Sequence, residues 1–338
     1  VNDRVVRTTR FDALYCRNNA ARRGYINNPQ TEIHIQAYQK YLQNVHGYTP
    51  ILASRTLRSV FSEPKFPLIN RGTYFRTISL DKVCENFIER HTNAQIVSIG
   101  SGSDTRPFKL LKAHPDIKYV EIDFPDSTRV KKLAILGNRE LGEVLGVSEE
   151  LPEITTKEEF NSFSPHLQSE KYQLLGYDLR KDLKELNFSQ NPTLVISECV
   201  LCYLSFEENK RVISHLVKSI PNLFLAIYEP MSLRDSFGSV MAANLSGRGI
   251  SIPMFEALPD LPSRKEFLLS LGFKSNQLTN LQEIAGYGDL SKAWIDKEEL
   301  KRIDKLEIID EIEEISLLLK HYCLSLSGPT ESTLKWIV

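Results

Sequence analysis

Five short, mostly apolar runs, each separated from the next by a stretch of helical periodicity, constrain this chain more than any other feature. They fall at 95–99, 117–122, near 173–175, at 193–197 and at 223–228, with helices predicted over 77–90, from Asp104 onward, and over 126–136, 179–186 and 206–219. Pro125 stands at a natural helix start and Pro192 introduces the fourth run. Strands that alternate with helices pack as a mainly parallel sheet with right-handed crossovers, so the predicted fold class is α/β with helices on both faces. Residues up to about 68 are polar, tyrosine-rich and poor in β-branched runs, which predicts a helical N-terminal extension. Two insertions break the alternation, one at 137–171 and one at 230–262. The second carries Gly238, Gly247 and Gly249 and is suited to cover the open end of the sheet. The chain is predicted to divide into an extension over 1–75 that helps cover the active site and a main domain over 76–338. It closes with an acidic helical segment, LEIIDEIEEI, and a final strand in LLLKHYCLSLS.

In such a sheet, ligands bind beyond the carboxyl ends of the strands, so the residues just after each run are read together. The first gives Gly100, Ser101, Gly102 and Asp104 within IVSIGSGSDTRPF. A dinucleotide fingerprint would need a third glycine at Thr105, and many methyltransferases carry one where Asp104 stands, so the glycines alone leave a nucleotide site and a plain strand-to-helix turn both open. The second run ends on Asp123, about 20 residues further on, where a carboxylate takes the hydroxyls of a ribose. The third ends in Tyr177-Asp178-Leu179-Arg180, the fourth in Ser197-Glu198-Cys199 and the fifth in Tyr228-Glu229-Pro230. Asp104 and Asp178 fit helix N-caps equally well, and Asp123 a simple turn. Glu198 is harder to assign so plainly, because a carboxylate at the end of TLVIS is partly buried and needs a partner.

Composition removes several classes of function. A formal net charge of -1 gives no footprint for nucleic acid, and no stretch approaches the ~18 apolar residues of a membrane span. Five cysteines form no secreted disulfide pattern, and the first residues lack the apolar core of a signal peptide, so a reducing compartment, most simply the cytoplasm, is expected. Cys199-Val-Leu-Cys202 has redox spacing but follows the fourth strand instead of opening a first helix. Seven scattered histidines offer no metal set, and neither a G-x-S-x-G elbow nor a P-loop lysine is present.

With those residues in view, the chain resembles the leucine carboxyl methyltransferases, which use S-adenosylmethionine to methylate the C-terminal leucine carboxylate of the type 2A protein phosphatase catalytic subunit. The resemblance rests on DALYCRNNAARRGY, PLINRGTYFRT, IVSIGSGSDTRPF, YVEIDFP, YDLR, ISECVLCYL, DSFGSVMAANL and DEIEEISLLLKHYCLSLS, and spans nearly the whole chain. It implies a Rossmann-like S-adenosylmethionine-dependent methyltransferase fold with a helical extension and inserted lid segments. By matching position it implies that Arg76, helped by Arg17, pairs with the carboxylate of the cofactor's methionine part. The family more often has lysine at position 17, a point donor where arginine is a planar fork. Gly100 then lies under the methionine portion, Asp123 holds the ribose, and Asp178 with the Leu179 backbone reads the adenine. Glu198 faces the ammonium or sulfonium end, and Tyr203 stands where methyl transfer occurs. Without the resemblance, Arg71 and Arg76 read as surface salt bridges.

A terminal α-carboxyl has a pKa of roughly 3.3–3.7, so the nucleophile is already ionised and no general base is required. Alignment and desolvation remain for the enzyme to supply, with Tyr203 and Arg180 the candidates to orient the attacking oxygen. The expected partner is the phosphatase tail, with no nucleic acid, membrane or metal, and a monomeric state. Two alternatives are a related carboxyl methyltransferase acting on a modified tRNA base, whose chains continue into a repeat-built propeller absent here, and a non-catalytic cofactor-binding scaffold.

Overall fold

Strand order, more than strand count, decides where this molecule can hold a ligand. The computed structural model describes residues 3–330, with side chains described from Val6 onward. Four helices come first: α1 (Asp3–Arg22), α2 (Gln30–Tyr41), α3 (Pro50–Phe61) and α4 (Pro67–Arg90). The alternating part follows as β1 (Gln95–Ile99), α5 (Arg106–Ala113), β2 (Lys118–Asp123), α6 (Pro125–Leu136), α7 (Arg139–Leu145), α8 (Lys157–Ser162), β3 (Leu167–Gln168), β4 (Tyr172–Gly176), β5 (Thr193–Glu198), α9 (Phe206–Ser219) and β6 (Leu223–Pro230). The remainder is α10 (Ser236–Gly247), α11 (Pro253–Ala257), α12 (Leu261–Ser270), β7 (Ser275–Asn280), α13 (Leu281–Ile284), α14 (Lys297–Asp304), α15 (Ile312–Lys320) and β8 (Tyr322–Gly328).

Among the described residues, eight strands form one sheet in the order β3-β4-β2-β1-β5-β6-β8-β7. β4, β2, β1, β5 and β6 are parallel, while β8 runs antiparallel between β6 and β7 and the short β3 pairs antiparallel at the other edge. The chain moves outward from β1 to β2 and β4, then reverses to β5 and β6, so the direction switches between β1 and β5 and opens a crevice at their carboxyl ends. This is the α/β fold read from the sequence, a mainly parallel sheet with helices around it.

Side-chain alternation divides the core. Ile96, Leu194, Ile196 and Phe224 pack on one face with α4 and α5, and Val97, Ile99, Val195 and Leu225 on the other with α9 and α12. A third cluster joins Phe11, Leu14 and Tyr38 of the extension to Val130 and Leu133 of α6, and each such side chain, fully buried, contributes ~1.5–3 kcal/mol. The extension is thereby fixed across the crevice. α10 is held over the same opening: the Asp235 carboxylate accepts from Gly238 N–H at 2.8 Å and bonds His321 Nε2 at 2.9 Å. A Cβ on Gly238 would fall 1.8 Å from the Ser232 carbonyl oxygen, so only glycine permits that close return.

Several expectations are corrected. No α-helix spans 179–186, where Asp182 caps only a 3-10 turn, Leu183–Glu185. In the closing segment the helix begins at Ile312 and takes in LLLK, leaving the strand to start at Tyr322. β7, with the half-buried sequence SNQLTN, has no apolar alternation to announce it. The helix predicted over 77–90 starts ten residues earlier as α4, so the expected boundary at 75/76 falls inside a helix.

Candidate active site

β1 ends in Gly100-Ser101-Gly102, with both glycines left-handed at φ +59° and +53°. A Cβ on Gly100 would meet Val200 Cγ2 at 2.4 Å, so the bare glycine lets the tip of β1 close against the loop after β5. From that turn, Gly102 N–H donates to Asp123 Oδ2 at 2.5 Å and Phe124 N–H donates to Oδ1 at 2.6 Å. Burial pushes the Asp123 carboxyl above the ordinary carboxylate range, although Arg10 and these two amides pull the other way.

At the end of β5, Glu198 Oε1 accepts from Arg76 Nε at 2.6 Å and Oε2 accepts from Arg106 Nη1 at 2.7 Å. Burial would raise this carboxyl, but Arg106, Arg76 and Arg17 together hold it well below its usual range. Arg106 is the hub of the cluster, donating also to Asp81 at 2.9 Å and to Asp104 at 3.0 Å. Asp104 is likewise drawn down against its burial by Arg106 and Arg17. Three arginines thus face three carboxylates, Asp81, Asp104 and Glu198, and neutralise them. The balance leaves donors to spare: Arg17 reaches Asp104 only at 3.5 Å, and its Nε and the Ser101 hydroxyl are buried without a hydrogen-bond partner among the described residues. The terminal nitrogens of Arg76 make no hydrogen bond among the described residues, and its guanidinium lies 5.2 Å from the Tyr228 ring.

Of these groups, Arg17, Arg76, Ser101, Asp104, Asp123 and Glu198 line a cavity of about 500 Å³. A second chamber of about 250 Å³ shares Val6, Gly100, Asp123, Phe124, Val200 and Tyr203 with the first, so the two adjoin. Arg17, Arg76, Gly100, Asp123, Glu198 and Tyr203 face the larger space; Asp178, Leu179 and Arg180 face the smaller. The nine residues expected to bind cofactor or to orient the reacting groups therefore line one or both of these adjoining chambers. Val6, Thr9, Arg10, Ala13, Cys16 and Arg17, at helical spacing, supply a wall from α1. Tyr203 sits at the junction, on the turn Leu201–Tyr203, and burial pushes its phenol far above the usual range, so it stays protonated.

Some partners differ from those expected. Asp178 caps no helix; Arg180 grips its carboxylate through Nε at 2.9 Å and Nη2 at 2.8 Å. Both oxygens of Glu198 are engaged by arginine. Arg71 is neither at the surface nor at the site: it is buried and donates to Asp304 at 2.7 Å and to the Ile303 carbonyl at 3.0 Å, fastening α14 to α4. Asn70 and Tyr74 hold the same region through Glu307 and Glu299, so Asn70, Arg71 and Tyr74 of INRGTYFR are anchors, and Arg76 alone of its charged groups reaches the cavity. Arg106 and Phe124 were missed. Arg106 carries a local signal, a cation opening the apolar helix RPFKLL; Phe124, whose ring lies 4.3 Å from the Arg7 guanidinium and 5.5 Å from that of Arg180, carries none. Cys199 and Cys202 are free thiols whose pKa values burial raises, which makes them poor nucleophiles. Among the described residues no group of three or more metal-ligating side chains is assembled, and no helix is long and apolar enough to cross a membrane.

A cofactor with an amino-acid end, a sugar and a flat base fits this lining. Arg17, Arg76 and Ser101 offer unfilled donors for a carboxylate, Asp123 an acceptor for hydroxyls, and Phe124 with Leu179 and Val200 an apolar slot.

Comparison with known proteins places the chain among relatives. A family model described as leucine carboxyl methyltransferase matches residues 5–217. The chain is 44% identical over 360 residues to leucine carboxyl methyltransferase 1 of Debaryomyces hansenii, covering 99% of this chain and 98% of that protein. It is 47% identical over 342 residues to the Candida albicans protein of the same name, covering 97% and 93%. Among solved structures, a putative sarcosine dimethylglycine methyltransferase from Galdieria sulphuraria is similar with a TM-score of 0.45 at 11% identity, over 79% of this chain and 91% of that one, a likeness too distant to carry weight.

Proposed function

The chain belongs to the leucine carboxyl methyltransferase family, and on that premise we propose that it transfers a methyl group from S-adenosylmethionine to the C-terminal leucine α-carboxylate of the type 2A protein phosphatase catalytic subunit. The observation that carries this reading is the neutralised Arg17–Arg76–Arg106 cluster, whose Arg17 and Arg76 present unfilled donors to a cavity at the switch point of the sheet. Arg76 and Arg17 bind the carboxylate of the cofactor's methionine part, and Glu198 positions Arg76 by engaging its Nε, leaving the terminal nitrogens available. Gly100 lets that part approach the backbone, Asp123 accepts from the ribose hydroxyls, and the Asp178–Arg180 pair with Leu179 edges the base. When bound, the cofactor supplies an electrophilic methyl group on a sulfonium.

The protein's own part is binding, orientation and exclusion of water. A chain-end carboxylate is ionised at neutral pH, so no proton need be removed from it. Attack of an anion on a cation neutralises both, and such a step gains in a cavity that is dry. Glu198 is held ionised by its arginines and is committed to them, which leaves it no part as a base. Tyr203, protonated and standing between the chambers, is suited to orient the reacting groups. α1 and α10 close the space over them, and Met241 and Leu245 of α10 give it an apolar wall suited to a leucine side chain. Five free thiols suit a reducing compartment such as the cytoplasm.

The test is methyl transfer from labelled S-adenosylmethionine to the phosphatase catalytic subunit with and without its final leucine. Label that enters only the intact chain and is released by mild base as an ester supports the reading. Equal labelling of both forms, or labelling of tRNA instead, overturns it.

A further inference from the structure

Every other arginine of the described cavity lining except Arg10 has a carboxylate partner. Arg7 pairs with Asp126, Arg17 with Asp104, Arg76 with Glu198, Arg180 with Asp178 and Arg248 with Asp12. Arg10 has none among the described residues, yet its Nε and Nη1 are buried and without hydrogen bonds there. Its guanidinium instead rests 5.0 Å from the Phe11 ring and 5.5 Å from the Tyr38 ring, which fixes the group without satisfying its donors. Charged donors left dry and unpaired are costly, and a fold keeps them where an acceptor arrives later.

Position says which acceptor. The place of a Cβ on Gly102 lies 3.8 Å from Arg10 Cβ and 3.9 Å from Asp123 Oδ2, so Arg10 and Asp123 flank the same glycine from opposite elements. Asp123 is faced by Arg10 from α1, by Lys131 from α6, and by the amides of Gly102 and Phe124. A vicinal diol that gives its protons to a carboxylate turns its oxygen lone pairs outward, where a guanidinium can donate to them. We propose that Arg10 is a cofactor-binding residue that completes the sugar subsite opposite Asp123, donating to the ribose oxygens and holding Asp123 ionised. The inference rests on the cofactor reading above.

The test is calorimetric titration of S-adenosylhomocysteine, and of 5′-methylthioadenosine, which lacks the amino-acid end, into the wild-type chain, Arg10→Met and Arg10→Lys across pH 5–8. Arg10→Met weakens both ligands about tenfold, the scale of one charge-assisted hydrogen bond. It also moves the acid fall-off in affinity to higher pH, because Asp123 loses a neighbouring positive charge. Arg10→Lys keeps the charge, and with it the wild-type acid limb, while losing the fork and part of the affinity. Wild-type affinity for both ligands in Arg10→Met overturns the proposal, as does a loss confined to S-adenosylhomocysteine, which would assign Arg10 to the amino-acid end. Should Arg10→Met fail to fold, unchanged affinity in Arg10→Lys overturns it in the same way, and a weakened one supports it. Failure of the wild-type chain to bind S-adenosylhomocysteine sinks the cofactor reading itself.

Discussion

Replacing Gly100 by alanine tests the strand-tip geometry directly. At φ +59° an L-residue costs about 1–2 kcal/mol more than glycine. The added Cβ would stand 2.4 Å from Val200 Cγ2, 2.6 Å from Cγ1 and 3.1 Å from Cβ, and with both γ-carbons in the way no rotamer of this stiff side chain clears it. Overpacking of that kind costs about 1–3 kcal/mol, so Gly100→Ala is expected to lose about 2–5 kcal/mol of stability in all. The movement is forced onto Val200, which lines both chambers and leads into the Leu201–Tyr203 turn, so affinity for S-adenosylhomocysteine falls as well. Urea unfolding gives the stability change and calorimetry the affinity. The double variant Gly100→Ala/Val200→Ala recovers the packing part and keeps the backbone part, relative to Val200→Ala alone. If Gly100→Ala unfolds within 0.5 kcal/mol of wild type, a threshold set at the usual scatter for harmless surface changes, the close approach of β1 and the β5 loop is not tight and the reasoning fails.

Other consequences divide by chamber and by charge. Tyr203→Phe is expected to lower kcat at least tenfold with S-adenosylhomocysteine affinity unchanged, whereas Arg76→Ala weakens that affinity about tenfold or more, the scale of a charged hydrogen bond; near-normal affinity in Arg76→Ala counts against its assignment. Glu198 is held well below its ordinary 4.5 by Arg106 and Arg76 against its burial, so its contribution to stability is complete above that value and is lost as pH falls through the folded pKa. Glu198→Gln therefore lowers stability at pH 7 and flattens the decline below about pH 4.5 in thermal unfolding curves; an acid limb identical to wild type removes Glu198 as its source.

Part of this molecule was legible in its letters for a plain reason. Buried parallel strands such as QIVSI and TLVISE are mostly apolar runs, and α9 spans the predicted 206–219, its start fixed in the structure by a capping box between Ser205 and Glu208. Where burial is partial the signal fades. SNQLTN pairs only at the sheet edge, and LLLK could not be told from a strand because a short apolar run fits either period. The candidate site was legible to the extent that strand ends are: Gly100, Asp123, Asp178 and Glu198 each follow a run that had to be a strand.

Sequence alone thus determined the fold class, the crevice and the residues at its rim, since these follow from periodicity within a few residues of each element. Only the tertiary structure decided how the charges are shared. Arg106 meets partners 25 and 92 positions away, Asp178 turns to its own neighbour Arg180, and Arg10 is left with donors unfilled. Coulombic pairing depends on distance in space and on the water excluded around it, and neither is written in the order of the chain.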